Sequence, residues 1–227
     1  MPSKAKRREV ELDFHQAIDN HRLEEVADLL RNGVDPNALG DKSRGFRYAF
    51  TALCAAISAA ASTISSTHID LAAAIHEMYP QLPTRNRQED RARALEIVRL
   101  LLTAGADPNR PTLSRTPLSL AVHQGDIEIV QILLDAGAHP SGESWSPLST
   151  LPRPKGGLAF FSNAIHEATV KGFTDIVRLL CQRGADTSAR DHEGKTALQL
   201  AVQYGHTEIV RFLEQYASKH TPRSRTV

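Results

Sequence analysis

One stretch of the sequence resembles part of a nucleotide site. Residues 194–196 read Gly-Lys-Thr, which matches the end of a phosphate-binding loop. The first glycine of such a loop would fall at position 189, where this sequence has Ala189. A loop that cradles phosphates needs that glycine for close backbone approach, so the match is incomplete. We expect no nucleotide and no other cofactor.

Two further stretches begin like the zinc-protease motif, in which two histidines lie four residues apart around a glutamate. They are His76-Glu77 and His166-Glu167, but Pro80 and Val170 stand where the second histidine should be. Without a second ligand on the same helical face, neither stretch holds a metal. The sequence therefore predicts no metal ligands and no catalytic residues, and the remaining histidines are interpreted as solvated surface or as repeat positions.

The spacing of the two cysteines indicates neither a metal site nor a redox pair. Cys54 and Cys181 lie 127 residues apart and match no zinc or redox spacing. Neither has a nearby histidine in sequence that would mark it as a nucleophile. We expect both thiols to lie in the core of a protein from a reducing compartment.

The overall composition is that of an ordinary globular protein. The chain has 227 residues, of which 41% are hydrophobic, and its 27 basic residues nearly balance 26 acidic ones. Residues 48–67 carry no charge but are rich in Ala, Ser and Thr, which indicates a helix of a globular protein and not a membrane span. The basic start lacks an apolar stretch, so we expect no secretory signal and a cytoplasmic location, or a nuclear one in a eukaryotic cell.

Recurring strings organise most of the chain. A run of two leucines leading to a glycine and a polar turn occurs four times, as LLRNGVDPN, LLTAGADPN, LLDAGAHP and LLCQRGADT at 29–37, 101–109, 133–140 and 179–187. Gly137 follows Gly105 by 32 residues. Thr116-Pro117-Leu118 and Thr196-Ala197-Leu198 open blocks of apolar periodicity, and such self-similarity is the mark of a repeat protein.

These strings resemble the ankyrin repeat, which has a Thr-Pro-Leu-His signature. The resemblance implies an all-α solenoid of about five helix pairs with finger loops, covering residues 9–218 between basic tails at 1–8 and 219–227. His15 and His166 fall where the signature has histidine, and glycines 33, 105, 137 and 184 close the second helices. Thr116 is expected to cap a helix whose first residue is Pro117.

The helix expected at 126–134 is interpreted as mostly buried because it carries six large apolar residues, among them Ile127 and Ile132. The first repeat has Glu25 and Asp28 where later repeats have apolar residues, as an end cap requires. The last repeat keeps more apolar positions, so either the tail folds over it or something else docks there.

Two departures from the repeat length are expected to be informative. The second repeat contains 33 extra residues, interpreted as a helical insertion at about 58–90, with a first helix at 52–78 and a second at 88–103. A degenerate extra repeat is the alternative, since 33 residues is one period. A long finger at about 140–162 carries Trp145, Phe160 and Phe161, which either pack on neighbouring loops or bind a partner.

The resemblance implies a non-enzymatic module, an adaptor, scaffold or inhibitor that binds a partner protein and is monomeric alone. It places contact positions just before the glycine that ends each inner helix, and finger residues are added for their charge or aromatic rings. No small-molecule substrate is expected. The predicted partner-binding residues are Asp19, Asn20, Arg44, Phe46, Arg47, Tyr48, Arg110, Arg115, His123, Gln124, Trp145, Phe160, Phe161, Val170, Lys171, Arg190, His192, Gln203 and Tyr204.

Two other classes of function stay open. An enzyme-associated regulatory domain would use the insertion at 58–90, where His68, Asp70, His76 and Glu77 form the polar cluster. An adaptor for nucleic acid or an anionic surface would use the basic tails, which carry seven of the 27 basic residues while residues 9–218 have a net charge of −6. Basic ends without a basic face make nucleic-acid binding the less favoured of these hypotheses.

Overall fold

The computed structural model describes residues 4–38, 51–62, 87–112, 115–142, 163–191 and 193–220. These residues form ten α-helices and contain no β-strand. The chain divides into two compact units, a first unit of residues 1–107 and a second unit of residues 108–227. The division into one repeat domain with flanking tails and two insertions remains a prediction.

The first unit contains two helix pairs. Its helices are α1 (Lys4–Asp19), α2 (Leu23–Arg31), α3 (Ala52–Ser62) and α4 (Arg87–Thr103). Helix α1 packs on α2 and α3, and α4 packs on α3 and α2. Their facing sides carry fully buried apolar side chains, which include Phe14, Ile18, Val26, Leu53, Ile57, Ile97 and Leu101. Burial of these side chains is the main source of stability in a helical stack.

The helices of the first unit agree in part with the predicted boundaries. The helix predicted at 88–103 is present as α4 and begins one residue earlier, at Arg87. The helix predicted at 52–78 is described only as α3, up to Ser62, and the rest of the insertion at 63–86 lies outside the described residues. Helix α1 begins at Lys4, so its backbone includes most of the stretch predicted as a tail.

Helix α1 ends differently from the other inner helices. His21 occupies the left-handed backbone conformation, with φ of 55°, at the position where the later repeats have Gly125, Gly172 and Gly205. A side chain in this conformation carries backbone strain that glycine does not. The imidazole of His21 is buried, so its packing offsets part of that strain.

The second unit contains three helix pairs in register. They are α5 (Pro117–Gln124) with α6 (Ile127–Asp135), α7 (Ala164–Val170) with α8 (Thr174–Gln182), and α9 (Ala197–Gln203) with α10 (Thr207–His220). The inner helices pack in the order α5, α7, α9, and the outer helices in the order α6, α8, α10. Small inner residues such as Ala121, Ala168 and Ala201 are fully buried, which lets successive pairs approach closely.

In two of the three repeats, a threonine side chain caps the N-terminus of the inner helix. Thr116 Oγ1 accepts a hydrogen bond from Ser119 N at 3.2 Å and Pro117 opens α5, as predicted. Thr196 forms a full capping box with Gln199 at the start of α9. Thr196 is therefore the N-cap of α9, in line with its expected place at the start of a helix pair. Asn163, at the equivalent position before α7, makes no side-chain capping bond.

The glycines predicted to close the second helices do so. Gly33, Gly105, Gly137 and Gly184 all have φ between 85° and 95°. The asparagine of each Asp-Pro-Asn turn then links two turns, since Asn37 Nδ2 donates to Gly105 O and Asn109 Nδ2 donates to Gly137 O, both at 3.1 Å. This recurring bond explains why the turn sequence repeats.

Burial of individual residues agrees with two predictions. Cys54 and Cys181 are both buried, as expected for core thiols. Helix α6 has four of its six large apolar residues buried, Ile129, Val130, Leu133 and Leu134, while Ile132 is half-buried and Ile127 is 43% exposed. Ile127 is the first residue of α6, where the helix faces solvent. Among the described helices, none is both long and apolar enough to cross a bilayer.

Candidate functional site

Three inner helices form a common surface in the second unit, which we call the inner-helix face (α5, α7 and α9). The predicted contact positions lie at the ends of these helices, next to Gly125, Gly172 and Gly205. The side chains of His123, Lys171, Gln203 and Tyr204 are exposed there, whereas Gln124 and Val170 are half-buried. The face thus presents an exposed polar side chain from each repeat and, in the last repeat, an exposed aromatic ring as well.

A group of four residues occupies the middle of this face, and we call it the central polar cluster (Arg115, His123, Glu167 and Lys171). Arg115 Nη1 lies 3.0 Å from both carboxylate oxygens of Glu167. On the other side of the carboxylate, His123 Nδ1 lies 2.5 Å from Glu167 Oε1. The glutamate therefore joins two side chains of the preceding repeat and fixes their positions.

Lys171, the fourth member of the cluster, is positioned by contacts that do not involve Glu167. Lys171 Nζ donates to the main-chain oxygen of His123 at 2.7 Å and lies 5.9 Å from the centroid of the Phe173 ring. The bond satisfies a carbonyl in the last turn of α5, where no intrahelical donor is left. Lys171 remains exposed despite these contacts, so its charge is both positioned and accessible.

Glu167 is the member of the cluster that the sequence prediction missed. Its position corresponds to Leu120 and Leu200 in the neighbouring repeats, and its side chain is only 13% exposed. The two leucines are half-buried (Leu120) and buried (Leu200). A charge at such an apolar position costs desolvation free energy, which Arg115 and His123 offset here. The signal was visible in the sequence as the one charged residue at this register position among the three repeats of the second unit.

The last repeat contributes a second polar group to the face. Lys195 Nζ donates to Gln203 Oε1 at 2.8 Å and pairs with Glu193 at 2.6 Å. The hydrogen bond with Glu193 raises the pKa of the Lys195 ammonium. Lys195 occupies the same position in its repeat as Arg115 does, immediately before the N-cap threonine. Two repeats thus place a basic side chain at the same edge of the face.

Two inner helices end against a ring of the next repeat. A Cβ atom at Gly125 would lie 2.8 Å from the Phe173 ring, and one at Gly172 would lie 2.7 Å from the His206 ring. His206 Nε2 also donates to Val170 O at 3.1 Å and its ring stacks on Tyr204. The expected solvated position holds for His123, whose side chain is 46% exposed, and only in part for His206, which is half-buried. Both histidines also bond to a neighbouring repeat.

His166 fills the signature position in the core of the middle repeat. Its Nε2 donates to Ala189 O at 3.0 Å, and its Nδ1 is buried without a hydrogen-bond partner among the described residues. Burial lowers the pKa of the His166 imidazole, although the bond with Ala189 opposes this effect. In the first unit, burial lowers the pKa of the His15 imidazole, and a hydrogen bond with the Ala38 main chain opposes this effect. Both are therefore structural, neutral imidazoles.

The described residues offer little nucleophilic chemistry. Burial raises the pKa of the Cys54 thiol to about 11 and that of the Cys181 thiol to about 12, so neither is a thiolate at neutral pH. In the part of the chain that the structure describes, no three His, Cys, Asp or Glu residues are grouped to hold a metal ion. The arrangement can bind through charge, hydrogen bonds and an aromatic ring.

The remaining predicted residues are placed as follows. Arg190 is exposed and donates to Gly194 O at 2.7 Å, while Arg110 is half-buried in its turn. In the first unit, Asp19 and Asn20 are exposed at the end of α1. The other predicted contacts lie outside the described residues: Arg44, Phe46, Arg47, Tyr48, Trp145, Phe160, Phe161 and His192. The polar cluster of the insertion (His68, Asp70, His76 and Glu77) lies outside them too.

Comparison with known proteins gives one family. The model of "Ankyrin repeats (3 copies)" matches residues 91–150 and 154–223. Human cyclin-dependent kinase inhibitor 2A is 33% identical over 124 residues, which cover 54% of this chain and 70% of that protein. Bovine cyclin-dependent kinase 4 inhibitor B is 32% identical over 124 residues, covering 54% of this chain and 84% of that protein.

A different kind of relative shares a shorter segment. The probable E3 ubiquitin-protein ligase XBOS33 of rice (Oryza sativa subsp. japonica) is 45% identical over 58 residues. The match covers 26% of this chain and 11% of the ligase, so the chain spans only about a tenth of the length of that relative.

Proposed function

The chain belongs to the ankyrin-repeat family, and on that premise we propose that it is a protein-binding module, acting as an adaptor, scaffold or inhibitor and not as an enzyme. Partner recognition uses the inner-helix face of the second unit, together with the finger loops. The observation that carries the proposal is the position of Glu167, a partly buried charge at an apolar position that fixes Arg115 and His123 beside it.

The physical advantage of such a face is rigidity. Stacked repeats hold the contact residues in place before any partner arrives, so little side-chain freedom is lost on binding. Arg115, His123 and Lys171 are each tied to a neighbouring repeat by a hydrogen bond of 3.0 Å or less. Tyr204 adds an aromatic ring that is 50% exposed, and tyrosine and arginine are enriched among residues that dominate binding energy.

The names of the relatives agree with binding without catalysis. Two of them are named as inhibitors of cyclin-dependent kinases, and the family model covers the second unit almost completely. By analogy, we propose that this chain acts by occupying a surface of its partner. The roles predicted for the insertion at 58–90 and for the aromatic finger at 140–162 stay predictions.

A capture experiment with matched variants tests the proposal. Proteins retained from a lysate of the source cells are quantified for the unaltered chain, for Lys171→Glu with Tyr204→Ala on the inner helices, and for Arg211→Glu on the outer helix α10. We expect a partner that the chain and the Arg211→Glu variant retain and that the inner-face variant loses at least ten-fold. Equal retention by all three would contradict recognition by this face.

Thermal melts of the three proteins distinguish a lost contact from an unfolded repeat. Lys171, Tyr204 and Arg211 are all exposed, and the hydrogen bond from Lys171 to His123 O, which Lys171→Glu removes, contributes about 1 kcal/mol. All three proteins should therefore unfold within a few degrees of one another. A lost partner then reports a lost contact and not an unfolded repeat.

A further inference from the structure

Charge is distributed unevenly between the two layers of the second unit. On the inner helices, their C-caps and the described residues just before their N-caps, three basic side chains stand against one acidic side chain, Glu167. On the outer helices, five acidic side chains outnumber three basic ones. The inner basic residues are Arg115, Lys171 and Lys195; the outer acidic ones are Glu128, Asp135, Asp175, Glu208 and Glu214.

Charges on the outer layer pair across the repeats. Arg183, which follows α8, lies 2.7 Å from Asp135 of the preceding repeat, and Arg178 lies 2.9 Å from Glu208 of the following one. Arg178 also lies over the Phe212 ring at 5.3 Å. These basic residues therefore serve the stacking of the repeats.

Lys171 on the inner layer differs, because its hydrogen-bond partner is an uncharged carbonyl. Within the described residues, no carboxylate lies within salt-bridge distance of its Nζ. The one carboxylate of the central polar cluster, Glu167, is already occupied by Arg115 and His123. The cluster thus presents a fixed positive charge toward the surface that is proposed to bind a partner.

We infer that the partner of the inner-helix face contributes an acidic, extended peptide segment, whose carboxylates pair with Lys171 and with Lys195. This inference rests on the proposed function and names the chemistry of its partner. Complementary charge raises the association rate and excludes wrong partners. Lys171, held against a neutral carbonyl, supplies that complementarity without first losing a salt bridge of its own. Lys195 is paired with Glu193 and exchanges that carboxylate for one of the partner's.

The geometry of the repeats also sets the spacing of the acidic residues. Packed helices lie about 8–10 Å apart, and an extended chain advances about 3.3 Å per residue. A segment that crosses from α7 to α9 therefore covers one helix spacing in about three residues. We expect acidic residues about three positions apart, with an apolar or aromatic residue between them to pack on the exposed Tyr204 ring.

Selection from a random peptide library tests this inference. Twelve-residue peptides displayed on phage are selected on the unaltered chain, on Lys171→Glu and on the matched outer variant Arg211→Glu. We expect Asp and Glu to be enriched on the chain and on Arg211→Glu, with a spacing of about three. The affinity of the best peptide should fall at least ten-fold on Lys171→Glu and stay within two-fold on Arg211→Glu.

The alternative outcomes separate the two proposals. Peptides without acidic enrichment whose binding is lost on Tyr204→Ala would overturn the acidic partner and leave recognition by the face intact. Peptides insensitive to both Lys171→Glu and Tyr204→Ala, or a library that yields no binder, would count against both proposals. A 20-nucleotide single-stranded oligothymidylate that binds the chain and competes with the peptides would overturn the proposal of an acidic peptide segment and indicate nucleic acid as the ligand.

Discussion

The middle repeat of the second unit, at 163–184, departs from its two neighbours in ways that do not help it fold. Thr116 and Thr196 cap the neighbouring inner helices, but Asn163 makes no capping bond. Leu120 and Leu200 stand where the middle repeat has Glu167. The outer helix α8 keeps its buried side, since Ile176, Val177 and Leu180 are buried like their counterparts in α6. It too lacks a cap, however, because Phe173 makes no side-chain capping bond where Asp126 caps α6. The charge at position 167 is therefore the departure specific to the inner-helix face, where we propose that the partner binds.

A second comparison concerns the last repeat, which has no described repeat after it. Val122 and Thr169 are fully buried between repeats, whereas Val202 at the same register position is 62% exposed. The middle repeat is thus held from both sides, and the last one from one side only. Substitutions at equivalent positions should therefore have unequal effects.

The largest difference is expected between two glycines. Gly172→Ala should lower the free energy of unfolding by about 3 kcal/mol, since it combines left-handed backbone strain with a contact to the His206 ring. Gly205 has nearly the same φ but open space around it, so Gly205→Ala should cost only about 1 kcal/mol. Urea unfolding of both variants measures the difference. Equal losses would mean that His206 does not clamp the end of α7.

Two valines provide the next comparison. Val122→Ala should destabilise by about 2 kcal/mol, because two buried methyl groups and their packing are lost. Val202→Ala should change stability by less than about 0.5 kcal/mol. Thermal melts of the two variants test this. A large loss for Val202→Ala would show that something covers the last repeat, as one of the sequence-based alternatives proposed.

The middle repeat should also be the acid-sensitive one of the second unit. The pKa of His166 is lowered by burial, so the unfolded chain binds a proton that the folded chain does not. Stability from this residue is therefore complete above pH 6.5, the ordinary pKa, and declines as the pH falls below it, by up to about 1.4 kcal/mol per pH unit.

The control for this effect is the same titration on His166→Gln, which resembles Gln199 at the equivalent position. The unfolding free energy of this variant should depend less on pH between 6.5 and 5 than that of the unaltered chain. His15, whose pKa is lowered in the same way, supplies the part of the slope that remains. An unchanged slope would contradict a neutral, buried His166.

The smallest expected effect is a gain. Asn163→Thr should introduce the hydroxyl cap seen at Thr116 and Thr196 and stabilise the chain by about 0.5–1 kcal/mol. Thr196→Ala, which removes an existing cap, is the matched loss and should cost about 1 kcal/mol. A loss of stability in Asn163→Thr would indicate that the amide has a role that capping does not describe.

Sequence alone predicted the repeats well, because their signals are local. Thr116 caps, Gly137 closes a helix, and Cys54 is buried as expected, each from residue type and register. The exposure of Ile127 was missed, because periodicity does not show which end of a short helix faces solvent.

The central polar cluster was only half predicted for a related reason. Arg115, His123 and Lys171 were selected by position, but the link that Glu167 makes to His123 and Arg115 joins residues 44 and 52 positions apart. Such pairing depends on how repeats stack and leaves no local pattern. The contributions of Trp145 and of the insertion at 58–90 stay predictions.

The most direct test of the central claim is the double variant Glu167→Leu with Arg115→Met, which replaces the whole partly buried ion pair and leaves the net charge of the face unchanged. Two quantities are measured together: the free energy of unfolding, and the affinity for the peptide selected on the unaltered chain. Replacing a partly buried ion pair as a whole by apolar residues is often neutral or stabilising, by up to about 1–4 kcal/mol. We expect unchanged or higher stability and an affinity at least ten-fold weaker, because the face loses Arg115 and the group that positions His123. Lower stability with unchanged affinity would contradict the account and make Glu167 a structural residue.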